Sequence, residues 1–209
     1  MELKELQQLY KKHPNTKALL KVLADSSVKT IHLNGLVASS APVVFGGITE
    51  GQTILYVLDD QEQAGYFYHD LVQMLGEEQV LFFPSSYRRA IKYGQRDAGN
   101  EILRTEVLAR IQSRRMSGPQ LSLHIVTSAD SLAEKVVSRN ELSDCTLVLH
   151  VGQQITSTSV QEVLASYGFT HVDYVYEPGQ FAMRGSILDV FSFSSEYPFR
   201  VDFFGDEID

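Results

Sequence analysis

Three short β-rich segments between residues 167 and 208, separated by turn sequences, constrain the fold of this chain most. Pro178-Gly179 is a typical turn pair, because proline fixes φ and glycine accepts positive φ. Residues 199–203 alternate between apolar and charged, so one face of that strand is apolar and the other is charged. The pattern predicts an antiparallel meander with one solvent-exposed face, on which Arg184 and Arg200 are available to a partner.

Strand and helix patterns alternate along the preceding part of the chain. Such alternation is typical of an α/β fold with a parallel, doubly wound sheet. Strands are predicted at Val28–Leu33, Thr53–Leu58, Val80–Phe83 and Leu121–Thr127. Helices are predicted at Glu2–Lys12, from a cap at Thr16 to Leu23, at Gln61–Leu75, at Asn100–Gln112 and from Ser128 onward.

A polar segment at Ser138–Asp144 predicts a boundary between a domain of residues 1–138 and a second domain of residues 139–209. The second domain begins with a predicted strand, Thr146–Val151, and a helix that Thr156 caps. With the meander this gives a small β-α-β-β-β domain of the α+β class. The chain ends directly after a strand, so we expect this domain to be truncated at its C-terminal end and the chain to be a piece of a longer protein.

The formal net charge of −8 argues against tight, sequence-independent DNA binding, which requires clustered Lys and Arg. One local exception is the segment 85–99, where basic residues alternate with Tyr87 and Tyr93. Such mixing suits a nucleic-acid backbone with stacked bases; a solvated loop is the alternative. The candidate DNA contacts are Arg88, Arg89, Lys92 and Arg96.

Catalytic, metal and membrane signals are absent from the sequence. Cys145 is the only cysteine, so no disulfide framework or cysteine-based metal site is expected, and the six histidines show no metal-site spacing. Asp59-Asp60 could be read as a metal-binding pair, but a helix N-cap is favoured. No apolar run approaches the ~18–20 residues that span a bilayer, and no signal-peptide core is present. We therefore expect a cytoplasmic protein with no catalytic site, no metal and no membrane partner.

The segment that follows the first predicted strand lies where a phosphate-binding loop would be. The motif G-x-x-x-x-G-K-[ST] needs glycines to wrap the phosphates, a Lys for the β/γ oxygens and a hydroxyl for Mg²⁺. With Gly35 as the first glycine, Ser40 stands at the second, Ala41 at the Lys and Pro42 at the Ser/Thr. The pattern predicts a degenerate nucleotide site that cannot hold MgATP productively. An ordinary strand-to-helix turn is the alternative.

The runs from Glu177 to Phe191 and from Ser195 to Ile208 closely resemble a segment shared by the bacterial excision-repair subunit UvrB and the transcription-repair coupling factors. In both families this segment lies in the small domain that docks on UvrA. The resemblance implies that residues 1–138 are a degenerate P-loop, helicase-like domain similar to UvrB domain 1a. Residues 139–209 are then similar to UvrB domain 2. UvrB keeps G-K-T in its nucleotide loop, so Ala41 favours the coupling factors.

The resemblance further implies a non-catalytic module that recruits UvrA and holds no cofactor itself. The longer protein is expected to be an ATP-dependent DNA translocase that acts on stalled RNA polymerase, with other domains binding polymerase, double-stranded DNA, ATP and Mg. Two alternatives remain. One is an ATP-binding subunit of the UvrB type, and the other is an unrelated protein-interaction domain.

The implied UvrA-binding residues centre on the sequence from Phe181 to Gly185. Arg184 stands where these families place an arginine facing UvrA, and arginine suits two-point pairing with carboxylates. Ala182 replaces a second arginine found in UvrB, and the arginine that family members carry near Thr170-His171 is also missing. The contact is therefore expected either to be weaker or to use Arg200 or His171. Phe181 is a candidate apolar anchor, with a core position as the alternative. The alternative for Arg184 is an internal pair with Asp173 or Glu177.

Overall fold

The computed structural model describes residues 3–48, 51–87, 97–117, 122–195 and 197–209. The chain divides into two compact units. One comprises residues 1–85 with 114–133, and the other comprises residues 86–113 with 134–209. Among the described residues, no helix has both the length and the apolar character needed to cross a membrane.

The first unit has a parallel sheet surrounded by helices. In chain order its elements are α1 (Leu3–Lys12), α2 (Pro14–Ala24), α3 (Ser40–Ile48), β1 (Thr53–Leu58), α4 (Gln61–Leu75), β2 (Val80–Phe83), the end of α5 (Ala98–Ser117), β3 (Leu123–Ser128) and α6 (Ala129–Ala133). The three strands are all parallel, in the order β1-β3-β2. The central strand β3 is buried along its whole length. The predicted α/β class with a parallel sheet is therefore confirmed.

Helix α4 supplies the side chains that close the core of the first unit. Ala64 and Leu71 are completely buried and pack with Tyr56, Val80 and Val126 of the three strands. Complete burial of a leucine side chain stabilises a fold by about 2 kcal/mol. The backbone N–H of Gln63 donates to Oδ1 of Asp60 at 2.8 Å, so the N-cap interpretation of this aspartate is confirmed.

A buried hydrogen bond of 2.9 Å joins the hydroxyl of Tyr56 on β1 to Nδ1 of His124 on β3. The two rings stack with their centroids 5.9 Å apart. Burial lowers the pKa of His124 to about 4, and the positive charge of Arg114 acts in the same direction. Burial also raises the pKa of Tyr56. Both side chains are therefore neutral at pH 7, as suits polar groups inside a core.

Two predictions for the N-terminal part are wrong. Residues 28–37 form no strand; instead Ile31 packs against a cluster of Leu19, Val44 and Ile48 on α2 and α3. Strand propensity mostly reflects how well side chains pack on a sheet. The neighbours of this segment lie on helices α2 and α3, so no strand forms there. Thr16 does not cap α2, because the helix begins earlier, at Pro14, with His13 as N-cap.

The second unit combines helices with a five-stranded sheet. After the first part of α5, its elements are α7 (Arg139–Asp144), α8 (Ser157–Ser166), β4 (Thr170–His171), β5 (Gln180–Arg184), β6 (Ile187–Phe191), β7 (Phe199–Phe204) and β8 (Glu207–Ile208). The strand order is β4-β5-β6-β7-β8. β5, β6, β7 and β8 pair antiparallel, which confirms the predicted meander, whereas β4 pairs parallel with β5.

The prediction of a strand at residues 146–151 is wrong. These residues have no regular structure; Leu147 and Leu149 pack against the core of the unit, and backbone hydrogen bonds to the sheet begin beyond them. The N–H of Gly152 donates to the carbonyl of Ile208 at 2.7 Å, and Gln154 forms an isolated antiparallel bridge with Glu207. The polar segment before them forms helix α7, in which Ser138 and Glu141 make a complete capping box.

The core of the second unit lies between α8 and the inner face of the sheet. It contains Val160, Leu164, Phe181, Leu188, Phe203 and Ile208. As predicted, Thr156 caps α8: its Oγ1 accepts from the N–H of Ser159 at 3.1 Å. The turn before β5 needs a glycine, since φ of Gly179 is +83° and a Cβ there would lie 2.4 Å from Cζ of Phe193. This turn fixes where β5 begins.

Candidate partner-binding surface

The outer face of β5, β6 and β7 brings three charged side chains together. Residues alternate between the two faces of a strand, so Leu188 and Val190 pack inward while Asp189 lies on the opposite face. In the register of the sheet, Asp189 stands directly opposite Ala182 on β5 and Arg200 on β7. Arg184 lies one step further along the same face of β5.

Asp189 accepts hydrogen bonds from both arginines. Nε of Arg200 donates to Oδ1 at 2.7 Å, and Nη2 of Arg200 donates to Oδ2 at 2.9 Å. Nη2 of Arg184 donates to the same Oδ2. Charge-assisted bonds of this kind are stronger than neutral ones. The carboxylate therefore joins two guanidiniums across three strands.

The hydrogen bonds of this cluster favour the charged forms of Asp189 and Arg200. The hydrogen bond from Arg200 holds the pKa of Asp189 below its usual value, and Arg184 adds to this effect although burial opposes it. The hydrogen bond to Asp189 in turn raises the pKa of Arg200. Asp202, two residues after Arg200 on the same face of β7, also acts electrostatically on Arg200, so the two guanidiniums of this face stand beside two carboxylates.

An aromatic ring flanks the cluster on one side. Cζ of Arg184 lies 5.1 Å from the ring centroid of Tyr174, within the range of a cation–π interaction. The tyrosine is itself exposed. Arg184 is thus held between a carboxylate and a ring, while 44% of its side chain remains accessible to solvent.

The other implied contact residues are placed differently. Phe181 is 3% exposed and belongs to the core, which is the alternative that the sequence left open. Its ring lies 5.1 Å from the ring of His171, which is exposed on β4. Gly185 occupies the first position of the two-residue turn between β5 and β6, with φ of +63°. Of the implied contact residues, the structure brings Arg184 and Arg200 together, through Asp189. The internal partner of Arg184 is therefore Asp189, and not Asp173 or Glu177 as the sequence suggested.

Sequence reasoning missed both Asp189 and Tyr174. The signal for Asp189 was available, because the two-residue turn at Gly185-Ser186 fixes the register of the hairpin and alternation then places the aspartate beside Arg184. No such signal existed for Tyr174. It lies outside the regular strands, and only the course of the loop before β5 brings it to Arg184.

The residues of the predicted nucleotide loop lie around the start of α3. Gly35 has φ of +85°, and Ser40 is the first residue of the helix. The N–H of Ser40 donates to the carbonyl of Val37 at 3.1 Å. Ala41 is half-buried, and Pro42 is buried in the first turn. The candidate DNA contacts Arg88, Arg89, Lys92 and Arg96 lie outside the described residues.

Comparison with known proteins gives matches in two related groups. Residues 147–209 match the UvrB interaction domain. The transcription-repair-coupling factor of Escherichia coli (strain K12) is 39% identical over 85 residues, which cover 41% of this chain and 7% of that protein. The coupling factor of Mycobacterium bovis is 40% identical over 91 residues, 44% of this chain and 7% of that protein.

Relatives from both groups also match a longer stretch at lower identity. UvrABC system protein B of Streptococcus suis is 28% identical over 162 residues, which cover 74% of this chain and 24% of that protein. In each case the match spans only a minor part of the relative's length. Residues 147–209 are therefore similar to the UvrB interaction domain, and the resemblance of this chain to the transcription-repair coupling factors of nucleotide excision repair is confirmed.

Proposed function

We propose that this chain is a non-catalytic module of a transcription-repair coupling factor that recruits UvrA. The binding surface is the outer face of β5, β6 and β7. The observation that carries the proposal is the cluster of Arg184 and Arg200 around Asp189, exposed on the part of the chain that matches the UvrB interaction domain. The contacts of UvrA would come from carboxylates, because guanidiniums pair with carboxylates at two points.

The donors left free on the two arginines support this role. Within the described residues, Arg184 makes only the hydrogen bond from Nη2, so its Nε and Nη1 can donate to a partner. Arg200 uses Nε and Nη2 and keeps Nη1. Arginines held in place before binding lose less conformational entropy when a partner arrives. The surface is therefore suited to an acidic partner.

The start of α3 supports the proposal that this module does not bind ATP productively. A phosphate at a helix N-terminus is held by free backbone N–H groups. Here the N–H of Ser40 already donates to Val37, and Pro42 has no N–H. Ala41 supplies no ammonium group where a phosphate loop has Lys. We infer that the first unit is a degenerate helicase-like domain without a cofactor.

The remaining functions belong to the longer protein from which such a module comes. In that protein, ATP and Mg would act in motor domains that move along double-stranded DNA and displace stalled RNA polymerase. We place its site of action in the cytoplasm. DNA contact by Arg88, Arg89, Lys92 and Arg96 stays a prediction.

Binding to purified UvrA tests the proposed function directly. The chain is expected to bind immobilised UvrA, and Arg184→Glu is expected to abolish the binding, because it places a carboxylate where the partner's carboxylate must approach. Arg139→Glu is the matched control: it makes the same charge change at an exposed residue of α7 and should bind like the wild type. Circular dichroism must show that both variants are folded. If Arg184→Glu and Arg139→Glu bind equally well, the assignment of the surface is wrong.

A second candidate is an ATP-binding subunit of the UvrB type, since UvrABC system protein B of Streptococcus suis matches 74% of this chain. The coupling factor of Haemophilus influenzae matches a similar share, 77%. This candidate requires productive ATP binding. Calorimetry with MgATP separates the two functions, since only the second predicts a measurable binding heat.

A further inference from the structure

We propose that Asp189 is a positioning residue for UvrA recognition: it sets the two guanidiniums of Arg184 and Arg200 in the arrangement that the partner's carboxylates require. The inference rests on the proposed function and deepens it. It assigns a role in binding to a carboxylate that lies between two arginines of this surface.

The geometry of the carboxylate is the first argument. Asp189 is 9% exposed, so it contributes little surface for a partner to touch. Its two oxygens nevertheless receive three hydrogen bonds from two arginines. The side chain of Arg200 is 63% exposed and that of Arg184 is 44% exposed. Among the described residues, the hydrogen bonds that hold the head of Arg200 all go to this carboxylate, while Asp202 acts on Arg200 through charge alone.

The position of Asp189 in the sheet is the second argument. It lies on the central strand of the three, directly opposite Arg200 and diagonal to Arg184. Its backbone is fixed by pairing on both sides, and the neighbouring residue Leu188 is completely buried. A loop residue would move with its loop, whereas this carboxylate is as rigid as the core beneath it.

The balance of charge makes the inference testable. If only the charge of the surface mattered, removal of Asp189 would strengthen binding to an acidic partner, because the surface would lose one negative charge. If arrangement matters, the same change weakens binding, because each arginine then samples many rotamers and must be ordered on binding. The two explanations therefore predict effects of opposite sign.

The experiment measures the affinity of Asp189→Asn for purified UvrA by surface plasmon resonance. We expect affinity to fall by about tenfold or more, even though the variant is more positive. Glu162→Gln on α8 is the matched control: it makes the same change in net charge at an exposed residue and should bind like the wild type. Asp189→Glu retains the carboxylate and is expected to recover part of the lost affinity.

A double-mutant cycle separates positioning from loss of folding. Arg184→Ala should weaken binding strongly in the wild type and much less in Asp189→Asn, since the carboxylate no longer holds the arginine in place. NMR of the arginine side chains supplies a readout without the partner: the Nε–H of Arg200 should be rigid in the wild type and mobile in Asp189→Asn. A protein that is merely destabilised would show neither non-additivity nor selective mobility.

The outcomes distinguish the two proposals. If Asp189→Asn binds as tightly as the wild type, or more tightly, while Arg184→Glu fails to bind, the positioning role is wrong and the recruitment of UvrA stands. Additive effects in the cycle also overturn the positioning role. If the wild type does not bind UvrA, both proposals are overturned.

Discussion

Arg200 and Asp189 face each other across β6 and β7 and form a side-on pair, in which Nε and Nη2 of the guanidinium reach the two carboxylate oxygens at 2.7 and 2.9 Å. Lysine cannot reproduce this arrangement, because its ammonium group has one nitrogen and cannot donate from two nitrogens to the two carboxylate oxygens. The pair is exposed at the arginine end, and exposed ion pairs contribute little to stability. We therefore expect the pair to contribute to partner binding and not to the stability of the fold.

Arg200→Lys tests this expectation. We expect the midpoint of thermal unfolding to stay close to that of the wild type, while affinity for UvrA falls by about tenfold. Circular dichroism and surface plasmon resonance measure the two quantities. A large fall in the unfolding midpoint, with unchanged affinity, would mean that the pair serves the fold and not the partner.

Tyr174 is expected to contribute to UvrA binding through its contact with Arg184. Tyr174→Ala removes an interaction of about 0.5–1 kcal/mol, which corresponds to an affinity loss of about two- to fivefold. Tyr174→Phe keeps the ring and should bind like the wild type. Equal losses in the two variants would indicate that the hydroxyl, and not the ring, is needed.

Gly179→Ala is expected to destabilise the second unit. The new Cβ would meet the ring of Phe193 at 2.4 Å, and alanine would have to adopt a φ of +83°. Gly168→Ala is the matched control, since φ of Gly168 is +85° but nothing lies within 4 Å of its Cβ position. We expect the first variant to lose about 1–3 kcal/mol more than the second in urea unfolding. Equal losses would show that the ring moves aside freely.

The buried His124 is expected to make the first unit sensitive to acid. Its pKa of about 4 in the folded state lies below the ordinary value of 6.5, so the unfolded chain binds more protons between these two pH values. The contribution of the neutral histidine is complete above pH 6.5 and is lost as the pH falls towards 4. The full shift corresponds to about 3 kcal/mol.

His124→Asn isolates this effect, because asparagine does not titrate and keeps a polar atom for the hydroxyl of Tyr56. Urea unfolding at several pH values between 7 and 4.5 should show a smaller loss of stability in the variant than in the wild type. Asp189 contributes in the same direction only at lower pH, since its pKa lies below the usual value. Parallel curves for wild type and variant would contradict the assignment to His124.

Calorimetry with MgATP at millimolar concentration is expected to give no binding heat. The physical reason is the missing ammonium group at Ala41 and the missing N–H at Pro42. UvrABC system protein B serves as the positive control. A dissociation constant below about 1 mM for this chain would contradict the proposal of a degenerate site.

The sequence by itself determined the features that depend on neighbours along the chain. Asp60 as a helix cap and Thr156 as another follow from local hydrogen bonding to the next turn. The meander from β5 to β7 follows from alternation and from turns that need glycine. The strands and turns of this meander are also the residues that carry the resemblance to the repair families.

Only the tertiary structure decided which residues share a surface. Residues 28–33 and 146–151 have strand-like composition, yet they form no strand: Ile31, Leu147 and Leu149 pack against the cores, but neither segment pairs with a strand. Phe181 lies in the core because it packs with α8. Arg184 has Asp189 and Tyr174 as neighbours, which lie apart from it in the sequence. The order of the strands is what set a buried carboxylate between two arginines that are 16 residues apart in the chain.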